Sequence, residues 1–269
     1  MIALALFTWR EAWRRKILTV VGVLSGALLV LYGLAAHPLV SRGPGALFGG
    51  AGVLLVGLYL QSPLPVLLAV LLGASALAPD LENGTLQVVA VRPLSRNRLL
   101  LGRYLGAAGL LVLYSLVLQT AVRLLAWAAA GARLGHPWAV TGLLLLEPLV
   151  ALGCAFAAGI RLPATAAGAL GLVLYGVGSV GGVLQQLAVE AGLRSVLTLG
   201  VALNLLLPAD PLYREAAWKV VRGGGSVLAN FLGPAMAAAT PSVLMLAWAG
   251  LYVLGTLGLA LWMFSRRDL

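Results

Sequence analysis

The chain has 269 residues, of which 61% are hydrophobic and only 10% charged. Soluble domains carry about 25% charge, so a water-facing globular surface cannot be built from this composition. A formal net charge of +10 would suit nucleic acid, but the lysines and arginines gather at the rims of apolar runs, with no basic-aromatic interleaving for base stacking. The length therefore reads as one all-α, polytopic membrane domain over 1–269, with six transmembrane helices.

Residues 1–16 form the first element. Ile2, Leu6, Trp9 and Trp13 recur at helical spacing, while Arg10, Arg14 and Arg15 lie off that face. Glu11 can pair with Arg14 or Arg15 along the helix. Tryptophans on the apolar side predict an amphipathic helix lying in the membrane interface. The charges follow the first apolar residues instead of preceding a hydrophobic stretch with a cleavage site, which argues against a signal peptide.

Ile17 to Ala35 is the first span, and HPLVSRGPG supplies the turn after it. The second span falls within Leu47 to Leu77. Gln61, Pro63 and Pro65 interrupt it, predicting a tilted or broken helix. Residues 79–98 return to the inner side. There Asp80 and Glu82 precede the apolar strip LQVVAV, Pro93 breaks the chain, and Ser95 can cap the next helix. The apolar strip needs a protein partner or the membrane surface to cover it.

The third span runs from Leu99 to about Gly131, its entrance expected to be anchored by snorkelling of Arg96, Arg98 and Arg103. A GARLGHP turn leads to the fourth, Trp138 to about Ile160. The fifth runs from about Leu162 to Leu184, and the last from about Ser242 to Phe264 before SRRDL. Between these two, residues 185–241 form an outer-side element. Its SVLTLGVALNLLLPADP segment is short for a span and suits a re-entrant or surface helix.

Six spans place both termini on the same, inner side. Eleven basic residues then fall inside: Arg10, Arg14, Arg15, Lys16, Arg92, Arg96, Arg98, Arg103, Arg161, Arg266 and Arg267. Six fall outside: Arg42, Arg133, Arg194, Arg214, Lys219 and Arg222. This bias across short connections sets the orientation.

Two charges remain within the membrane, Arg123 in the third span and Glu147 in the fourth. Each stands twelve residues from the hairpin centre at Gly135. At about 1.5 Å per residue, both lie roughly 18 Å from the turn. Contact between them is expected, since a pair costs less in the bilayer than isolated charges. A protonated Glu147 bonded to backbone, or facing a conduit, is the alternative.

No catalytic constellation stands out. There is no GxxxxGK[ST], HExxH or GxSxG segment. The single cysteine, Cys154, reads as packing, and neither His37 nor His136 has a carboxylate at metal-ligand spacing. NGT at Asn83 falls on the assigned inner side. A membrane-embedded enzyme acting on a lipid-linked substrate would draw on Asp210, Arg214 and Glu215; a passive scaffold for an outer-surface assembly would need no energy source. Few buried ionisable groups disfavour proton coupling, and a transporter of this kind needs a separate energy domain.

The order of TWREAWRRK, an outgoing and a returning span, LENGTLQVVAVRPLSRNRLLLGRYLG and a closing FSRRDL resembles the membrane subunit of ABC-2 type ATP-binding-cassette transporters over nearly the whole chain. The resemblance implies pairing with a second copy of the permease in the cell's inner (plasma) membrane. It also implies a cytoplasmic ATPase subunit that carries the ATP and magnesium, with no cofactor bound directly by this chain. Trp9, Trp13 and Arg14 would belong to the elbow helix. Glu82, Gly84, Thr85 and Leu86 would form the coupling element, with Pro93 and Arg96 in its following turn. NLLLPADPLYR, which holds Asn204, Pro208, Asp210, Tyr213 and Arg214, resembles the outer element of the subgroup tied to maturation of multi-copper enzymes, including nitrous oxide reductase, and implies an accessory protein on that side.

Overall fold

A computed structural model describes residues 8–10, 12, 14, 16–41, 45–77, 96–223 and 241–266. Side chains at 37–41, 45–48, 96 and 190 are outside that description. The described residues form an all-α bundle with six helices long and apolar enough to cross a membrane.

Ahead of the first span, residues 8–10, 12 and 14 are helical. Lys16 then takes a left-handed backbone (φ 57°), which breaks the chain direction before the first span. Helix α1 is Ile17–Ser41. The second span, Gly49–Ser75, comprises α2 (Gly45–Gln61) and α3 (Pro63–Ser75). Ser62 between them keeps right-handed helical angles (φ −51°, ψ −44°) and its N–H donates to Leu58 O, so the helix is not broken at its prolines; the kink falls at Gly49 (φ 55°, ψ −164°). Helices α4 (Arg96–Ala130) and α5 (Pro137–Ala158) form the next hairpin. Helix α6 (Ala164–Ala191) outruns the expected end at Leu184, because the left-handed Gly192 (φ 67°) returns its N–H to Ala188 O and closes the helix there. The last span is α9 (Val243–Ser265), opened by Ser242, whose hydroxyl accepts from the Met245 N–H.

Helices α7 (Arg194–Leu206) and α8 (Asp210–Gly223) form a pair bent by 108°. Leu207 and Ala209 at the bend are buried, as is Asn204 just before it. The bend therefore sits inside the bundle, as in a re-entrant loop. Irregular backbone at membrane depth survives only where protein or a water-filled cavity receives it, and here protein covers it.

The two ends of the bundle have separate cores. Ala12, Leu77, Leu100, Ile160 and Phe264 share one apolar cluster. The amphipathic start, both stems of the 78–95 connection, the α5–α6 turn and the end of α9 thus meet at one end, as an even number of spans requires. Tyr32, Val53, Ala126, Val140 and Val220 share the cluster at the other end. Gly223 at the end of α8 approaches Gly135 in the α4–α5 connection, so α8 runs from the buried bend back to this second end.

Small residues let the helices close. A Cβ on Gly73 of α3 would fall 2.9 Å from Ala155 Cβ on α5. No hydrophobic force draws helices together in lipid, so close backbone approach of this kind carries much of the association.

Candidate functional site

Three proline-bearing stretches meet at mid-bundle. Ser62 precedes Pro63 in the second span, α5 carries Pro148 within its length, and the α7–α8 bend, which holds Pro208, is buried. Together with α6 they surround a cavity of about 460 Å³. Its walls carry Tyr59, Ser62, Glu147, Tyr175, Asp210, Tyr213 and Arg214, among apolar neighbours.

Glu147 is 2% exposed. Its Oε1 accepts from the Ser62 hydroxyl at 2.6 Å. Arg123, by contrast, donates through Nη2 to Gln119 Oε1 at 3.2 Å, one turn back on its own helix. The expected Arg123–Glu147 contact is therefore not found among the described residues. Equal depth along a hairpin did not mean a shared face: α4 turns Arg123 towards Gln119, and α5 turns Glu147 to Ser62 in the second span.

The second cluster stands on the re-entrant pair. Arg214 Nε lies 2.7 Å from Asp210 Oδ2, one turn apart on α8. Arg214 Nη2 donates to Gln185 Oε1 on α6 at 2.7 Å. With its amide oriented to satisfy its neighbours, Asn204 donates to Gly178 O (2.8 Å) and accepts from Gln185 Nε2 (3.0 Å) and Arg214 Nη2 (3.2 Å). Asp210 also occupies the first turn of α8, where the helix dipole favours a carboxylate. The approach depends on Gly182: a Cβ there would clash with the Asp210 carboxylate.

Asn204, Pro208, Asp210, Tyr213 and Arg214 are therefore brought together, but at a buried bend. Asn204 is 0% and Arg214 6% exposed, so these residues are not displayed on an outer face. The physical reason is the polar network just described, which would be costly to leave unpaired in lipid and finds partners at Gly178 and Gln185 of α6. Tyr213 adds an edge-to-face ring contact with Tyr59 of α2, centroids 5.9 Å apart.

At the Ala12 end of the bundle, the Trp9 indole N–H donates to Gly106 O on α4 at 2.8 Å. Arg14 is exposed. Arg103, expected to snorkel, is instead buried and donates through Nη1 to Ala76 O, just beyond the end of α3. A helix C-terminus leaves carbonyls without partners, and a guanidinium in reach satisfies one of them. Arg98 is exposed. Arg96 opens α4, with its side chain outside the description, and Trp13, Glu82, Gly84, Thr85, Leu86 and Pro93 lie outside the described residues.

Sequence reading passed over Tyr59, Ser62, Tyr175, Gly182 and Gln185 as site residues. The signals were present: Ser62 lies inside QSPLP, and GVGSVGG marks a helix face that another backbone approaches closely. Among the described residues, no group of three or more His, Cys, Asp or Glu side chains is placed to hold a metal ion.

Six apolar helices and a buried re-entrant bend beside a cavity define a polytopic membrane protein. Residues 51–269 match the family described as ABC-2 family transporter protein, and the chain belongs to that family. No curated protein matches it significantly.

Proposed function

We propose that the chain is the non-catalytic permease subunit of an ATP-driven transporter, paired with a second copy and powered by a separate cytoplasmic ABC ATPase. The ATPase would carry the ATP and magnesium, and its hydrolysis cycle would drive export or mechanical work across the inner (plasma) membrane. Both termini would face the cytoplasm, in line with the basic residues at that end of the bundle.

One observation carries this reading. The Trp9–Gly106 and Arg103–Ala76 bonds tie the amphipathic start and both stems of the 78–95 connection to the first three turns of α4. Force applied by a soluble partner to either element would thereby reach the third span, and through Ala76 the end of the second. Trp13, Arg14, Glu82, Gly84, Thr85, Leu86, Pro93 and Arg96 would form or flank the docking surface.

The likeness of Asn204–Arg214 to the subgroup serving copper-enzyme maturation extends the proposal to an outer-side accessory protein. With the bend buried, such a protein would meet the far end of α8, around Trp218, Lys219 and Arg222, which together with His136 line a second cavity.

The test is an unbiased pull-down with the permease from its native membrane, in which a soluble ABC ATPase should co-purify. Leu86→Glu should abolish co-purification and permease-dependent stimulation of ATP hydrolysis. Retention of both would overturn the docking role of the 79–98 element. Transport that persists without any ATPase would overturn the reading as a whole.

A further inference from the structure

We propose that the mid-bundle cavity is a binding site for a monovalent, aromatic or alkylated organic cation. The inference deepens the permease reading by naming a ligand class.

The charge arrangement selects the sign. Two carboxylates and one guanidinium line the cavity. Arg214 is committed to Asp210, at 2.7 Å, and to Gln185. Glu147 has the Ser62 hydroxyl as a donor and pairs with no basic side chain among the described residues. A carboxyl buried to this degree is costly to ionise without a counter-charge, and a cation seated beside it would supply one.

The walls select an organic ion over a metal. Tyr59, Tyr175 and Tyr213 present three aromatic rings to the space, and ring faces attract a weakly hydrated cation. A small, strongly hydrated metal ion needs several oxygen ligands in a fixed shell, whereas the two carboxylates here are already held by Ser62 and Arg214. The volume of about 460 Å³ suits a drug-sized molecule, since such sites occupy about 300–1,000 Å³. Entry is from the flank: Leu60, Val183 and Gln186 on the cavity rim are exposed on the bundle surface. An amphipathic cation dissolved in the bilayer reaches such a mouth directly.

The purified full chain in detergent should bind radiolabelled tetraphenylphosphonium saturably, beyond the uptake of empty micelles. Tetraphenylborate, nearly the same shape with the opposite charge, should not displace it. Glu147→Gln, which keeps an acceptor for Ser62, should lower affinity at least about tenfold, as loss of a buried charge partner does. Tyr59→Leu, at an exposed ring, should lower it several-fold. Absence of saturable binding, equal displacement by the borate, or undiminished affinity in a folded Glu147→Gln protein would each overturn the proposal. If Glu147→Gln does not fold, the Tyr59→Leu affinity decides the matter. No ATPase is needed, so failure here leaves the permease reading standing, and failure of ATPase docking leaves this site standing.

Discussion

The Ser62 hydroxyl donates to Glu147 Oε1 across 2.6 Å, joining the second span just before Pro63 to the fourth span just before Pro148. One hydrogen bond thus links two helices beside a proline in each. Ser62 is itself buried, so the bond forms away from water, where losing one partner strands the other. A movement that straightens or bends the second span must move Glu147 with it.

That bond predicts a coupling pattern. In melts of the purified protein, Ser62→Ala and Glu147→Gln should be non-additive by at least about 0.5 kcal/mol, the range for residues sharing a hydrogen bond. Arg123→Gln and Glu147→Gln should add within about 0.5 kcal/mol, because they share no partner. Strong coupling in the second pair would contradict the separate placement of these charges.

Gly182 gives a second prediction. Gly182→Ala places a Cβ against the Asp210 carboxylate, and should destabilise the protein by about 1–3 kcal/mol, as overpacking does. Gly176 on the same helix has open space where its Cβ would be. Gly176→Ala should melt at or slightly above the parent temperature. Equal melting of the two variants would show that α8 does not pack on α6 as described.

Asn204 is the centre of the polar bend. Asn204→Leu removes the amide that serves Gly178 O, Gln185 and Arg214. Buried groups left unsatisfied cost about 1–3 kcal/mol. Lower thermal stability is expected, with faster cleavage of the 192–210 region by added protease. Unchanged protection of that region would indicate that water or lipid headgroups already serve these atoms.

Arg103 and Arg98, expected from sequence to act alike, should behave differently. Arg103→Met removes a buried donor from Ala76 O and should cost about 1–3 kcal/mol. Arg98→Ala, at an exposed position, should stay within about 0.5 kcal/mol of the parent. Comparable losses would mean that both guanidinium groups reach the interface.

Trp9→Phe keeps the ring but loses the bond to Gly106 O. Hydrogen exchange across residues 8–14 should accelerate several-fold, while amides in α5 and α6 remain as protected as in the parent. Unaltered exchange at the start of the chain would show that apolar contact alone fixes this segment.

The six spans and their order were legible in the chain itself, as was a re-entrant option between spans five and six; the break expected at Pro63 and Pro65 is absent, because Ser62 stays helical. The legible features depend on local quantities: the length of an apolar run and the charges at its rims. The depth of Glu147 and Arg123 was also legible, since depth is only a count of residues along a helix. Their facing was not. Helices apolar on every side offer no polar stripe to show which way they turn, so rotation about the axis leaves no periodic mark. Only the packed bundle turned Glu147 to Ser62, drew Arg103 inward to Ala76, and buried Asn204 and Arg214 against Gln185. Each of these partners is distant along the chain, and each is chosen because a polar atom inside a membrane must find another within reach.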